Sequence, residues 1–149
     1  MQRKYDPFIR RAVRTDIPAM SRIRLSVTEN ALSDPARVTD EMYEEFLEQT
    51  GRGWVAEHDG EIVAFSYADK VNASIWALFV CPGYEGQGLG QSLLKQAVDW
   101  LFEIGHDCVH LTTGANTRAD RFYFMQGWMR TPVSSTDVGY SLTRSRPLE

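Results

Sequence analysis

The chain has few cysteines and few histidines. Two cysteines in 149 residues, Cys81 and Cys108, are too few for a disulfide framework. Both fall in or beside predicted strands, where cysteine is usually a small buried residue. Three isolated histidines, His58, His106 and His110, make no zinc-ligand spacing with them, so no metal is expected. No apolar run approaches a membrane span, and the opening MQRKYDPFIRRAVR lacks the hydrophobic segment of a signal peptide. A cytoplasmic protein without membrane contact is the expectation. Positive charge is in deficit: 16 Lys and Arg against 20 Asp and Glu leave a net charge of −4. The arginines are scattered, which argues against a nucleic-acid partner. Repeats and low-complexity tracts are missing too. An apolar fraction of 43% and a charged fraction of 24% fit one soluble domain spanning residues 1–149, large enough for a sizeable core.

Glycine is concentrated where it carries meaning. In the stretch Leu78 to Gly105, an apolar strand passes through Gly83, Gly86, Gly88 and Gly90 into a long helix. Leu89, Leu93, Leu94, Ala97, Val98, Leu101 and Phe102 recur at helical spacing, with Gln91, Lys95, Gln96, Asp99 and Glu103 on the other face. Residues without a Cβ let a ligand reach the main chain, and the first helical turn offers unpaired N–H groups at the positive end of its dipole. The junction therefore reads as an anion cradle. A Walker loop is excluded because no lysine follows the glycines, and G-x-G-x-x-G fails because Gln91 and Leu93 occupy the third glycine positions.

The remaining chain reads as β-α-α-β-β-β-α-β-α-β-β. Phe8 to Val13 is predicted as a strand, and Thr15-Asp16-Ile17-Pro18 as a helix start. Thr39 or Asp40 caps a second helix running through Glu48, with Gly51 as its stop. Asp59-Gly60 marks a two-residue hairpin between Trp54–His58 and Glu61–Asp69. Cys108 to Thr113 alternates as a strand, and Thr117-x-x-Asp120 opens a helix that Gly127 closes.

Two motifs carry a resemblance. Glu85-Gly86-Gln87-Gly88-Leu89-Gly90 resembles the acyl-CoA-binding pattern Gln/Arg-x-x-Gly-x-Gly/Ala of the GCN5-related N-acetyltransferases (GNAT), with Glu85 in the place usually held by Gln or Arg. Asn116, Ala119, Phe122-Tyr123 and Gly127-Trp128 resemble the second signature, N-x-x-A-x-x-F-Y-x-x-x-G-F/W. The resemblance implies an α+β fold, a mixed twisted sheet of about seven strands flanked by about four helices. It also implies transfer of an acetyl group from acetyl-CoA to an amine acceptor, a small molecule or a protein, and a homodimer as one expected assembly. In that family the cosubstrate would touch Phe79, Val80, Gly86, Gln87, Gly88, Leu89, Gly90, Gln91, Asn116 and Tyr123.

For the chemistry, the Val80 N–H is the expected oxyanion donor, a role worth roughly 3 kcal/mol in other enzymes. Tyr123 is the expected acid for the leaving thiolate, with a core aromatic as the alternative. Asn116 has an N-cap as its alternative. Glu29 is the expected acceptor contact, and Glu29, Glu57 and Asp69 are the candidates for the base. Glu85 leaves two options: it points away from the diphosphate, or it weakens cosubstrate binding. A catalytically silent acyl-CoA-binding module is the competing function.

Overall fold

The computed structural model describes residues 8–26 and 49–144. The second predicted helix and Glu29 lie outside the described residues. Seven strands form one sheet in the order β1-β2-β3-β4-β5-β7-β6: β1 (Phe8–Arg11), β2 (Gly51–His58), β3 (Glu61–Asp69), β4 (Ser74–Val80), β5 (Cys108–Gly114), β6 (Met129–Pro132) and β7 (Asp137–Thr143). Three α-helices stand among the described residues: α1 (Ile17–Ser26), α2 (Leu89–Glu103) and α3 (Arg118–Met125).

Local chemistry sets the boundaries. The β2–β3 hairpin closes on Asp59 and Gly60, both at positive φ (52° and 79°), the pair of left-handed residues that matches the twist of the flanking strands. β1 stops short of Val13 because the Asp16 carboxylate takes the Val13 N–H at 2.7 Å, turning the chain into a single 3₁₀ turn ahead of α1. Desolvation pushes Asp16 up, but the Arg10 hydrogen bonds and the Val13 amide outweigh it and hold the carboxyl below its usual range. Arg10 also donates to Glu57 at 3.0 Å, tying β1 to β2. Gln49 and Thr50 are helical, and Gly51 directly after them begins β2 opposite Asp69.

Each face of the sheet buries a separate apolar layer. Val55, Phe65, Tyr67 and Ala77 pack against Met20 and Ile23 of α1. The alternate residues Trp54, Ala56, Ala64 and Ala68 pack against Leu93, Ala97 and Leu101 of α2, whose apolar stripe is the one read from the sequence. In β5, Val109 and Leu111 turn inward while Cys108 and His110 are exposed. Cys108 is thus not the buried residue expected of it; it sits on the solvent side of the alternation at the strand's first position.

Candidate active site

β4 and β5 run parallel yet share a single register pair, Ser74 opposite His110. β4 is paired along its length with β3, and β5 with β7 through Gly114. Two well-paired half-sheets therefore join at one end and part at the other. The ladder tells where the freed groups point. Cys81 N–H donates to the Val63 carbonyl at 2.8 Å, so Cys81 and Val63 form a hydrogen-bonded pair, and the next pair, Val80 with Ala64, does not bond. The N–H and C=O of Val80, and by the same alternation of Leu78, are aimed across the gap toward β5. Leu78 escaped the sequence reading, although its two-residue spacing from Val80 is the signal that would have found it.

The glycine bend closes one side of this gap. Gly83, Gly86 and Gly88 have φ of 95°, 76° and 84°, and a Cβ at any of them would meet nothing within 4 Å, so the bend is open to solvent. Gly88 is the N-cap of α2 and offers no side chain to the first turn. None of the hydrogen bonds formed among the described residues engages the amides of Gln87 to Gln91. Gly90 lies against Phe122 and Val80, where a Cβ would come within 3.7 Å and 3.8 Å of their side chains. Gly88→Ala is expected to destabilise the fold by about 1 kcal/mol in urea unfolding, because the left-handed backbone alone sets the penalty.

Glu85 does not aim at the amide cradle. Its Oε1 accepts from the Gly83 N–H at 2.8 Å, and its Oε2 stands 3.2 Å from a guanidinium nitrogen of Arg118. Its own amide and that of Gly83 lower its pKa, with Arg118 adding to the effect. The carboxylate is spent on its own turn and on α3.

Leu78, Phe79, Val80, Gly88, Gly90 and Tyr123 line one cavity of about 520 Å³, together with Glu85, Gly86, Leu89, Gln91 and Arg118. A second cavity of about 300 Å³ runs between β4 and β5 and shares Leu78, Phe79, Ala119 and Tyr123 with the first. Tyr123 stands where the two meet. It is 5% exposed, its ring packed on Phe122, Trp128 and Tyr140 at centroid distances of 5.2, 5.5 and 5.6 Å. Burial pushes its phenol well above the ordinary value, and no hydrogen bond to another described residue accompanies that shift. The alternative of a core tyrosine with a satisfied hydroxyl finds no partner among the described residues.

Tyr123 is held by Asp120, one turn earlier in α3. Thr117 caps the helix by accepting the Asp120 N–H at 3.1 Å. The Asp120 carboxylate takes the Asn116 N–H at 2.7 Å, two Arg130 donors at 2.9 and 3.0 Å, and the Tyr140 hydroxyl at 2.5 Å. Hydrogen bonds from Arg130, then Tyr140, hold its pKa far below the usual carboxylate range. The Thr117–Asp120 relation is readable from the sequence. The Arg130 and Tyr140 contacts are not, since they come from strands 10 and 20 residues further on.

Other expected residues are placed elsewhere. Asn116 is exposed at φ 64°, outside the lining of both cavities, and contributes its main-chain N–H to Asp120. Gln87 is exposed and borders neither cavity. Glu57 pairs with Arg10, and Asp69 caps its own turn through Val71 and Asn72, so neither faces the gap as a base. Among the described residues no helix is long and apolar enough to cross a membrane.

Residues 18–128 match the family model described as the acetyltransferase (GNAT) family. An uncharacterized N-acetyltransferase of Archaeoglobus fulgidus is 37% identical over 90 residues, 54% of this chain and 60% of that protein. The chain spans only 24% to 60% of the length of the curated relatives it matches. Among solved structures, a GNAT-family acetyltransferase from Staphylococcus aureus Mu50 superposes with a TM-score of 0.79 at 21% identity, covering 93% of this chain and 99% of that one. The PaiA N-acetyltransferase of Thermoplasma acidophilum, solved with coenzyme A, gives a TM-score of 0.76 at 13% identity, covering 93% of this chain and 99% of that one.

Proposed function

Because the chain belongs to the acetyltransferase (GNAT) family, we propose that it transfers an acetyl group from acetyl-CoA to an amine by direct attack. The observation that carries this reading is the shared lining of the larger cavity: the open bend at Gly88–Gln91, the gap-facing backbone of Val80 and the buried Tyr123 border one space. A fold relative solved with coenzyme A supports the cosubstrate.

In the proposed reaction the amides of the α2 N-terminus receive the diphosphate, where unpaired N–H groups and the helix dipole favour negative charge. A neutral amine attacks the thioester carbon. The carbonyl oxygen gains charge beside the Val80 N–H, which no neighbouring strand has claimed. The C–N bond forms, the C–S bond breaks, and the Tyr123 hydroxyl donates its hydrogen bond to the departing sulfur. The nitrogen's surplus proton balances the thiol that leaves. A free primary amine of pKa ~10.4 is only about 0.04% neutral at pH 7, so the rate should rise with pH toward the amine's own pKa.

The competing silent binding module rests on Glu85, and the Gly83 and Arg118 contacts of that carboxylate favour the transferase reading over it. Calorimetry with coenzyme A and thiol release from acetyl-CoA with a panel of amines test the proposal. Binding followed by amine-dependent thiol release is expected; binding with no release from any amine would leave only the module. For Glu85→Gln, coenzyme A affinity should change by less than about fivefold, since the exposed ion pair is worth little. A tenfold gain would mean that the carboxylate opposes the diphosphate after all.

A further inference from the structure

The slot between β4 and β5 carries two charges of opposite sign that are not spent on each other. Arg24, half-buried in the last turn of α1, lines it from one side, and Asp137, the first residue of β7, from another. Neither side chain has an ion pair or hydrogen bond to any described residue. The main chain of Asp137 is anchored: its carbonyl accepts the N–H groups of Val133 and Ser134, and its own N–H reaches the Ser134 hydroxyl at 3.0 Å. Its carboxylate stays outside those bonds. Trp76 supplies an aromatic wall, steadied edge-on by Tyr67 at 5.2 Å. A half-buried guanidinium without a counter-charge among the described residues calls for a partner, and its planar fork matches a carboxylate two bonds at a time.

Resting on the transferase reading above, we infer that the acceptor is a small amino carboxylate, its carboxylate received by Arg24 and its ammonium end drawn toward Asp137. The slot meets the larger cavity at Leu78, Phe79 and Tyr123, so a molecule spanning the two poles lies beside the gap-facing backbone of β4. A volume of about 300 Å³ is at the small end for ligand sites, which suits a free amino acid. An amine with no carboxylate leaves Arg24 unmatched, and discrimination follows from that unpaired charge.

The test compares the common L-amino acids with their carboxamides, which keep the amine and lose the negative charge. Both sets are titrated by calorimetry into the protein saturated with coenzyme A and assayed for thiol release from acetyl-CoA. For at least one amino acid, the free acid should bind about tenfold or more tightly than its amide, as a charge-assisted bidentate pair implies. Arg24→Gln should abolish that preference with coenzyme A affinity unchanged, and Arg24→Lys should keep part of it. Equal binding of acid and amide throughout, or a preference that survives Arg24→Gln, would overturn the inference. Acid-selective binding without thiol release would instead retain the amino-carboxylate pocket and sink the transferase reading. Turnover of amides as readily as acids would do the reverse.

Discussion

Tyr123→Phe is expected to lower single-turnover acetyl transfer by about a hundredfold or more while coenzyme A affinity stays within about twofold. A hundredfold corresponds to about 2.7 kcal/mol of barrier, within reach of one proton donor placed at a leaving group. Three features of the site make the substitution clean. The ring keeps its contacts with Phe122, Trp128 and Tyr140, because phenylalanine has the same outline. No hydrogen bond to a described residue is lost with the hydroxyl, so stability should change by less than about 1 kcal/mol. The proposed diphosphate cradle at Gly88–Gln91 does not include the residue. Burial also keeps the phenol protonated above its usual range. The pH–rate profile should therefore show no alkaline loss from this group below about pH 10, and the rise toward high pH should track the acceptor amine. The same desolvation makes the phenol a reluctant acid. In the proposed reaction its contribution is thus a hydrogen bond strengthening as charge grows on sulfur, with the amine's surplus proton completing the transfer. An unchanged single-turnover rate would remove Tyr123 from the chemistry.

For stability, the largest loss should come from Asp120→Ala, about 3 kcal/mol in urea unfolding and roughly 10 °C in Tm. Asp120 is 6% exposed and its carboxylate accepts from four donors on three residues: the Asn116 amide, two guanidinium nitrogens of Arg130 in β6 and the Tyr140 hydroxyl in β7. Its removal leaves the buried Tyr140 hydroxyl with only the Asp120 carbonyl, 2.7 Å away, and frees the turn that starts α3. Activity should fall with stability, since Phe122 and Tyr123 follow Asp120 within one turn. The pH dependence has a definite sign. The folded pKa lies below the unfolded value of ~3.9, so the stabilisation is fully present above about pH 4 and is lost as pH falls through the depressed folded value. Asp120→Asn should flatten the acid side of the stability profile in that window. A profile as steep as the parent's would assign the acid sensitivity to other carboxylates such as Asp16.

Much of the frame was legible in the order of residues because its causes are local. Gly83, Gly86 and Gly88 take the positive φ that only glycine adopts easily, the Leu89–Leu101 stripe buries at helical period, and Asp59-Gly60 makes the turn its chemistry favours. The Thr117 cap likewise acts over three residues. The two motifs that suggested the family lie at these same local junctions, and the family match spans both.

Other features depend on residues far apart in sequence. The outward Cys108, the diversion of Glu57 to Arg10 and the Arg130–Asp120–Tyr140 brace need strands brought together across tens of residues. So does the meeting of Arg24 and Asp137 on one slot. The residues themselves determined which segments turn, coil and extend, since short-range sterics and hydrogen bonds decide those. Only the packed sheet decided that β4 and β5 part after one shared pair, because that depends on which neighbour each strand satisfies along its other edge. An unpaired amide at Val80 is a property of that arrangement and has no signature in any single stretch of chain.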